Sequence, residues 1–580
     1  MAEAALHLMI GHPAGAAETV PFLILNSHAS ILIYHTVVSH RIVSRPPRGP
    51  AAAPPVASDP DTVRSFLEDA AHFPGGHAEG VVFPGSEAEV AAVLRAHARV
   101  LPIGAQSSVT GGATPRGEVV LSTARMASIL ERGERQVRAQ PGLPLVTLKQ
   151  DLALEGRYYP PAPTYDGAFV GGTISTNASG AATFKYGSTR QWVTALTVVL
   201  ASGDVLDIER GAVCAHPEGY FEVQTPARVL RVPVPTYRMP DVPKLSAGYF
   251  AAPGMDLIDL FIGSEGTLGV IVEATLATVS PAPALCLALV PFPSEAQALD
   301  LVARLRHASR ETWRSRDPRS LDVSAIEMLD GRSLRMLRED GADTKSGLSL
   351  PPATAMAILV QIELPAGTTG EQAFDQIAGA LEPGGEQTPL GRFCRDLEEA
   401  GVLDHAEVAV PGDRARAEQF YAFREAAPEG LKHRVALAKE RVDPGIQKTA
   451  ADMIVPFERF GEMMAVYREG YERRGLEYAI WGHVSDGNVH PNVIPRSLED
   501  VKAGQAAILE FGREAIARGG SPLSEHGVGR SRIKQGLLRQ LYGEAGVAEM
   551  RAVKAALDPG WKLSPGVVVG WPEDAVEART

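Results

Sequence analysis

The chain has 580 residues, too many for one hydrophobic core, so two or more domains are expected. Hydrophobic residues make up 45% and charged residues 22%, the balance of a globular protein. The net charge of -13 excludes a nucleic-acid binder, whose surface must be basic, but leaves room for a small anionic substrate held by a few local cations. Three widely spaced cysteines, Cys214, Cys286 and Cys394, form neither a disulfide framework nor a thiolate metal motif, which points to a reducing, cytoplasmic compartment.

Residues 1–57 differ from the rest. They hold five of the fifteen histidines, and their only acids are Glu3 and Glu18. The apolar run 20–38 is interrupted by Asn26, Ser27, His28, Ser30 and His35, which is too polar for a membrane span. No basic residue precedes it, as a secretory signal would require. A disordered extension with a Pro- and Ala-rich linker over 44–60 is expected, with peripheral membrane association as the alternative to a purely cytoplasmic protein.

From residue 81 onward, short apolar strands alternate with helical segments. The spacing predicts a helix over 87–99, strands over 100–103 and 119–122, and a Gly- and Ser-rich loop over 104–112 between them. A glycine loop joining two strands argues against a Rossmann site, which needs a long helix at that point. It still offers backbone N–H groups to an anion. Strands are predicted over 196–200, 205–208, 257–262 and 270–274, and small-residue runs over 171–180 and 263–271 suit a backbone that must approach a flat ligand. After Pro281 and Pro283 a second region begins. Its expected strands are 285–290, 323–328 and 355–363, and its expected helices 294–307, 414–439 (with Pro428 as a kink or break) and 457–474, an α+β pattern.

The stretch 478–494 reads as a hairpin. With Asp486-Gly487 as a two-residue turn, Ser485 pairs with Asn488, Val484 with Val489 and His483 with His490. Facing side chains lie about 4.5–5.5 Å apart, close enough for two imidazoles to share a divalent ion, and Asn492 falls on the face of His490. Two solvated or core histidines fit the hairpin equally. Glu525, beside His526 in a glycine-flanked loop, adds a carboxylate, and two His with one carboxylate suit zinc, manganese or iron.

Three ordered motifs, P-I-G-A-Q-S-S-V-T-G-G (102–112), G-G-T-I-S-T-N-A-S-G followed by K-Y-G (171–187) and G-S-E-G-T-L-G-V-I (263–271), resemble the FAD-binding domain of the vanillyl-alcohol-oxidase superfamily, the PCMH type. H-V-S-D-G-N-V-H-P-N (483–492), S-E-H-G-V-G (524–529) and D-P-G-W-K-L-S-P-G (558–566) resemble the C-terminal FAD-linked oxidase domain of D-lactate, D-2-hydroxyglutarate and glycolate dehydrogenases. The resemblance implies an α+β chain with a two-part α/β flavin domain over 58–281 and a C-terminal α+β domain, a ferredoxin-like sheet with helices, over 282–575.

It implies that Pro102, Gly104, Ala105, Gln106, Ser107 and Ser108 hold the FAD pyrophosphate, Ala105 and Gln106 being departures from a glycine-richer pattern. Gly171, Gly172, Asn177, Gly266, Gly269 and Ile271 would line the adenosine and isoalloxazine. Some members bind flavin through a histidine in or beside the first loop; none stands between Arg99 and Gly211, so non-covalent FAD is expected. The resemblance implies a metal on His483, His490 and Glu525, zinc first, with manganese or iron as alternatives. It also places substrate against Asn492 and His526, and the substrate carboxylate on Arg424 of an R-E pair.

Pro428 and Ala450 stand where the 2-hydroxyglutarate enzymes carry threonine and lysine, the nearest lysine being Lys448, which favours a lactate-like or bulkier D-2-hydroxy acid. The expected reaction is oxidation to the 2-oxo acid, with hydride to flavin N5 and His526 as the base for a metal-polarised hydroxyl. The electron acceptor would be a quinone, a cytochrome, an electron-transfer flavoprotein or oxygen. An alkylglycerone-phosphate-synthase-like transferase and a non-catalytic flavin-binding protein are the rival readings. Oligomeric state has no sequence signal, and the segment 211–256 finds no account.

Overall fold

The computed structural model describes residues 39–570 apart from 162, 164, 349 and 383–386. Its N-terminal half begins with a parallel sheet in which Val119–Ser122 lies between Gly80–Val82 and Val100–Ile103. The helix Glu87–Ala96 crosses over after the first strand, started by Ser86, whose side chain accepts from the Glu89 N–H. Its Val90, Ala91, Val93 and Leu94 bury against Val82, Val100, Val119 and Leu121. No helix joins Val100–Ile103 to its parallel neighbour, so the 104–112 loop leaves the end of a strand, as its glycines suggest.

A five-stranded antiparallel sheet follows, ordered Ile129–Arg132, Gln136–Ala139, Val270–Ala277, Val193–Val199, Val205–Glu209. The strand expected over 257–262 is instead the buried short helix Ile258–Phe261. An apolar run of that length carries no period that separates buried strand from buried helix.

The segment 211–256 supplies Tyr220–Gln224 and Val229–Pro233, a hairpin that forms a third sheet with Arg41–Val43. Arg41–Val43 runs parallel to Tyr220–Gln224, Ala57 bridges Val81, and Arg45 pairs with both Glu87 and Asp207. Residues 39–57 are therefore packed onto the flavin half rather than forming a loose linker; the earlier part of the expected extension, 1–38, lies outside the described residues.

The C-terminal half is an antiparallel sheet of eight strands, seven in one run: Glu407–Ala409, Ala284–Phe292, Met356–Leu364, Val323–Asp330, Tyr478–His483, Asn488–Val493 and Thr449–Ala450, with Met453–Ile454 also pairing Asn488–Val493. Alternation sends Cys286, Ala288 and Val290 toward the helices Glu295–Ser315 and Phe460–Glu472, while Leu287 and Leu289 meet Gly331–Glu339 and Arg414–Arg441. Both faces are covered, which explains why its strands read as continuous apolar runs. Arg414–Arg441 continues through Pro428 as one helix, because Phe420 and Phe423 before the proline and Leu431 after it anchor both parts on the same core. Among the described residues no helix is long and apolar enough to cross a membrane.

Candidate active site

The two halves meet around a cavity of about 1380 Å³. A small-ligand pocket usually spans about 300–1,000 Å³, so this one has room for a cofactor together with a substrate. One wall comes from the three small-residue loops: Pro102, Gly104, Ala105, Gln106, Ser107, Ser108, Gly171, Gly172, Gly266, Gly269 and Ile271 all line it. A Cβ on Gly104 would stand 3.9 Å from the Gly172 Cα, and one on Gly172 would meet nothing within 4 Å. The two loops thus face each other with bare backbone at the cavity wall, a cradle that fits the flat, phosphate-bearing FAD.

Gln106 adopts a φ of +54°, where glycine would be the easy choice. Its side-chain amide donates to the carbonyls of Ser65 and Glu68, so the departure from glycine is offset by a tie to the preceding turn. Asn177 does not line the cavity. Its amide donates to the Leu245 carbonyl and its oxygen accepts from the Arg190 N–H, which makes it a brace for the loop.

The opposite wall carries the histidine hairpin, and its register differs from the expected one. Trp481 pairs with His490, Gly482 with Val489 and His483 with Asn488, so the turn spans residues 484–487. The pairing has moved by two residues, not one, and an even shift keeps every side chain on its face. His483 and His490 remain on one face as diagonal neighbours with ring centroids 5.7 Å apart. Gly487 sits at φ +83°, and a Cβ there would lie 2.1 Å from the Val455 carbonyl oxygen, so the wider turn is wedged against the neighbouring strand.

His483 Nε2 lies 3.3 Å from Glu525 Oε1, and His490 Nε2 lies 3.5 Å from Glu525 Oε2. One ligand atom from each of the three side chains lies within 4.8 Å of the others, near enough for small shifts to close them on an ion with bonds of about 2.0–2.2 Å. Behind them, His483 Nδ1 faces Glu327 Oε1 at 3.2 Å and His490 Nδ1 faces Asp452 Oδ1 at 3.6 Å. Neither Nδ1 makes a hydrogen bond, but each faces a carboxylate while its Nε2 turns toward Glu525. A second trio, Asp452, His490 and His526, also lies within ligand distance of itself. Asp452 is already saturated: its oxygens accept from Asn488 Nδ2, Ser524 Oγ and the backbone N–H groups of Glu525 and His526. It orients ligands rather than being one.

Charge follows geometry. Burial would lower the His483 pKa, but Glu327 and Glu525 outweigh it and raise it: the site favours positive charge at that point. Burial holds His490 low and therefore neutral, the form in which a ring nitrogen can ligate. His526 stacks on His490 with centroids 5.1 Å apart, lines the cavity, and is likewise lowered by burial.

Asn492 also lines the cavity; its amide donates to the His490 carbonyl and its oxygen is buried without a partner. Arg424 lines it too, but its guanidinium is engaged by Glu327 at 3.0 Å and by Glu425. Lys448 faces the same space, its pKa lowered to about 8 by burial and by Lys432 and Lys534. Lys534, absent from the sequence expectations, presents a buried Nζ with no hydrogen-bond partner.

Sequence reasoning also passed over Glu327, Asp452 and Lys244. The first two had a signal, a lone acid inside the apolar runs 323–329 and 450–455. Lys244, whose ammonium donates to Glu525 Oε1 at 2.6 Å, had none, since it sits in an irregular stretch of the unaccounted segment.

A flavin cradle of this kind closed by an α+β cap, together with relatives named as D-2-hydroxy-acid dehydrogenases, defines a FAD-dependent oxidoreductase. Residues 78–209 match the family model described as "FAD binding domain", and residues 282–568 match "FAD linked oxidases, C-terminal domain". The chain belongs to the PCMH-type FAD-linked oxidase family. It is 29% identical over 498 residues to a D-2-hydroxyglutarate dehydrogenase of Xanthomonas citri pv. viticola, covering 84% of this chain and 88% of that one. It is 27% identical over 496 residues to a D-lactate dehydrogenase of Anaerostipes hadrus, covering 83% and 88%. Among solved structures, an alkyldihydroxyacetonephosphate synthase shares the fold at a TM-score of 0.55 and 15% identity, over 91% of this chain and 88% of that one.

Proposed function

We propose that the protein oxidises a D-2-hydroxy acid, lactate-like or bulkier, to the 2-oxo acid, with residues 58–281 as the flavin unit and 282–575 as the substrate unit. The observation that carries this is the meeting of His483 Nε2 and His490 Nε2 on Glu525, with His526 beside them, across one cavity from the flavin loops. Bound FAD, held non-covalently, supplies the hydride acceptor, and a divalent ion on His483, His490 and Glu525, zinc first, supplies Lewis acidity for the C2 hydroxyl.

The chain's own residues do the rest. Asp452 occupies the His526 Nδ1 side at 3.3 Å, which leaves Nε2 to take the hydroxyl proton. Lys448 and Lys534, neither of them ion-paired among the described residues, draw the substrate carboxylate into the cavity beside Arg424. The unpartnered Asn492 oxygen offers the substrate an acceptor. Pro428 and Ala450, both at the cavity wall, give a distal carboxylate no polar side chain.

The relatives named as D-lactate and D-2-hydroxyglutarate dehydrogenases support this reading, as do relatives named as cytochrome-linked D-lactate dehydrogenases, which make a cytochrome one acceptor to test beside quinone and electron-transfer flavoprotein. The three cysteines, unpaired in the fold, suit a cytoplasmic setting. An anaerobic panel of D- and L-2-hydroxy acids, read by bleaching of the bound flavin, tests the proposal; failure of every D-2-hydroxy acid to bleach it would refute it.

A further inference from the structure

Lys244 lies between the strand Val229–Pro233 and the helix Ile258–Phe261, in the flavin half, yet its side chain ends inside the metal centre of the other half. It is fully buried, and its ammonium meets three oxygens: Glu525 Oε1 at 2.6 Å, Asp486 Oδ2 at 2.9 Å and the Gly180 carbonyl at 3.3 Å. These belong to a candidate metal ligand, to the turn of the histidine hairpin and to the second flavin loop. Every atom around the ammonium is an acceptor, two of them carboxylate oxygens at ion-pair distance. A buried cation is costly to place, and a simple brace between two halves needs only a neutral donor.

We propose that Lys244 is a positioning residue that tunes the metal centre: it occupies Glu525 Oε1, leaves Oε2 as the ligating oxygen, and by its charge restrains how tightly the site grips a dication. The proposal rests on the metal reading given above. Its sign separates it from a merely structural role. A brace, once removed, lets the ligands drift, and metal binding weakens, as is usual for groups behind a metal site. A like charge, once removed, relieves repulsion, and metal binding tightens. The nearby Asp486 works in the opposite sense, since it balances the ammonium.

The experiment is an equilibrium zinc titration of chelator-stripped holoenzyme against a chromophoric competitor, with flavin content measured in parallel. Lys244→Met, similar in length and uncharged, is expected to bind zinc at least about tenfold more tightly than the wild type with flavin retained. Its kcat is expected to fall as metal affinity rises. Asp486→Asn, which leaves the ammonium less balanced, is expected to bind zinc several-fold more weakly. Unchanged or weaker zinc binding by Lys244→Met overturns the proposal in favour of a brace. Should that variant fail to fold, Asp486→Asn decides alone, and unchanged or tighter binding overturns the proposal. Absence of zinc binding by the wild type removes the metal reading itself, and this inference with it.

Discussion

One oxygen of Asp452 serves His526 twice: Oδ2 accepts the backbone N–H of His526 at 2.9 Å and stands 3.3 Å from Nδ1 of the same ring. The same carboxylate thus holds the backbone of the loop that carries His526 and sets a negative charge beside its Nδ1. His526→Ala is accordingly expected to keep flavin and metal while slowing anaerobic flavin reduction by about 10²–10⁴-fold. Asp452→Asn should slow the same step by about 10–100-fold. Stopped-flow reduction checks both, and a His526→Ala rate within a few-fold of the wild type would remove the ring from the chemistry.

The three ligand candidates give a different signature. His483→Ala, His490→Ala and Glu525→Ala should each lose tightly bound divalent metal in elemental analysis while flavin absorbance persists, because these side chains come from the C-terminal half and the flavin loops from the N-terminal half. Chelation of the wild type should reproduce the loss of activity, and added zinc or manganese should reverse it. Full activity of metal-free protein would recast the histidines as direct substrate contacts.

Acid precipitation should release the flavin into the supernatant. Among the described residues, the only histidines at the cavity are His490 and His526, both in the metal half, and neither belongs to the first flavin loop. Yellow colour that stays with the pellet would show a covalent bond from another residue.

Substrate range should favour monocarboxylates. Pro428 and Ala450 cannot make the two charge-assisted hydrogen bonds that a distal carboxylate would need, each worth about 1.5–3 kcal/mol. The kcat/KM for D-lactate should therefore exceed that for D-2-hydroxyglutarate by tens-fold or more. Replacing Lys448 or Lys534 by Met should raise KM for D-lactate more than it lowers kcat. The reverse substrate order would assign those two lysines to a second carboxylate.

Glu265 should make stability depend on pH. Its carboxyl accepts the backbone N–H groups of Val528 and Gly529 at 2.7 and 2.8 Å, tying the flavin half to the glycine loop after His526. Burial outweighs these bonds and raises its pKa to about 7. An acid raised on folding holds more protons in the native state between about pH 4.5 and 7, so its contribution to stability falls as pH rises through that window. The loss is at most about 3 kcal/mol. Thermal melts of holoenzyme at pH 5 and pH 8 should diverge less for Glu265→Gln than for the wild type, and an equal gap would count against the shift.

Much of this was legible in the sequence, for reasons that differ by feature. The glycine loops were readable because bare backbone is a residue-type requirement, visible in the letters alone. The face shared by His483, His490 and Asn492 was readable because a period of two survives an even change of register, although the turn itself was misplaced. Asn177 misled because a motif position does not say which way its amide turns. Lys244 was invisible because its partners, Asp486 and Glu525, lie 242 and 281 positions away, and no local pattern encodes such a meeting. The helix Ile258–Phe261 was misread because full burial erases the alternation that marks a strand.

The three-residue strand Arg41–Val43 sets a practical limit on shortening the chain. It lies beside Tyr220–Gln224, the middle strand of a three-stranded sheet, and Arg45 just beyond it enters the acidic pair Glu87 and Asp207. Expression begun at residue 58 would strip that cover and expose the backbone donors and acceptors of Tyr220–Gln224 as a template for another molecule. A truncation chosen from composition alone would thus trade a histidine-rich leader for a sticky edge, whereas one begun before Ser39 would leave the seam sealed.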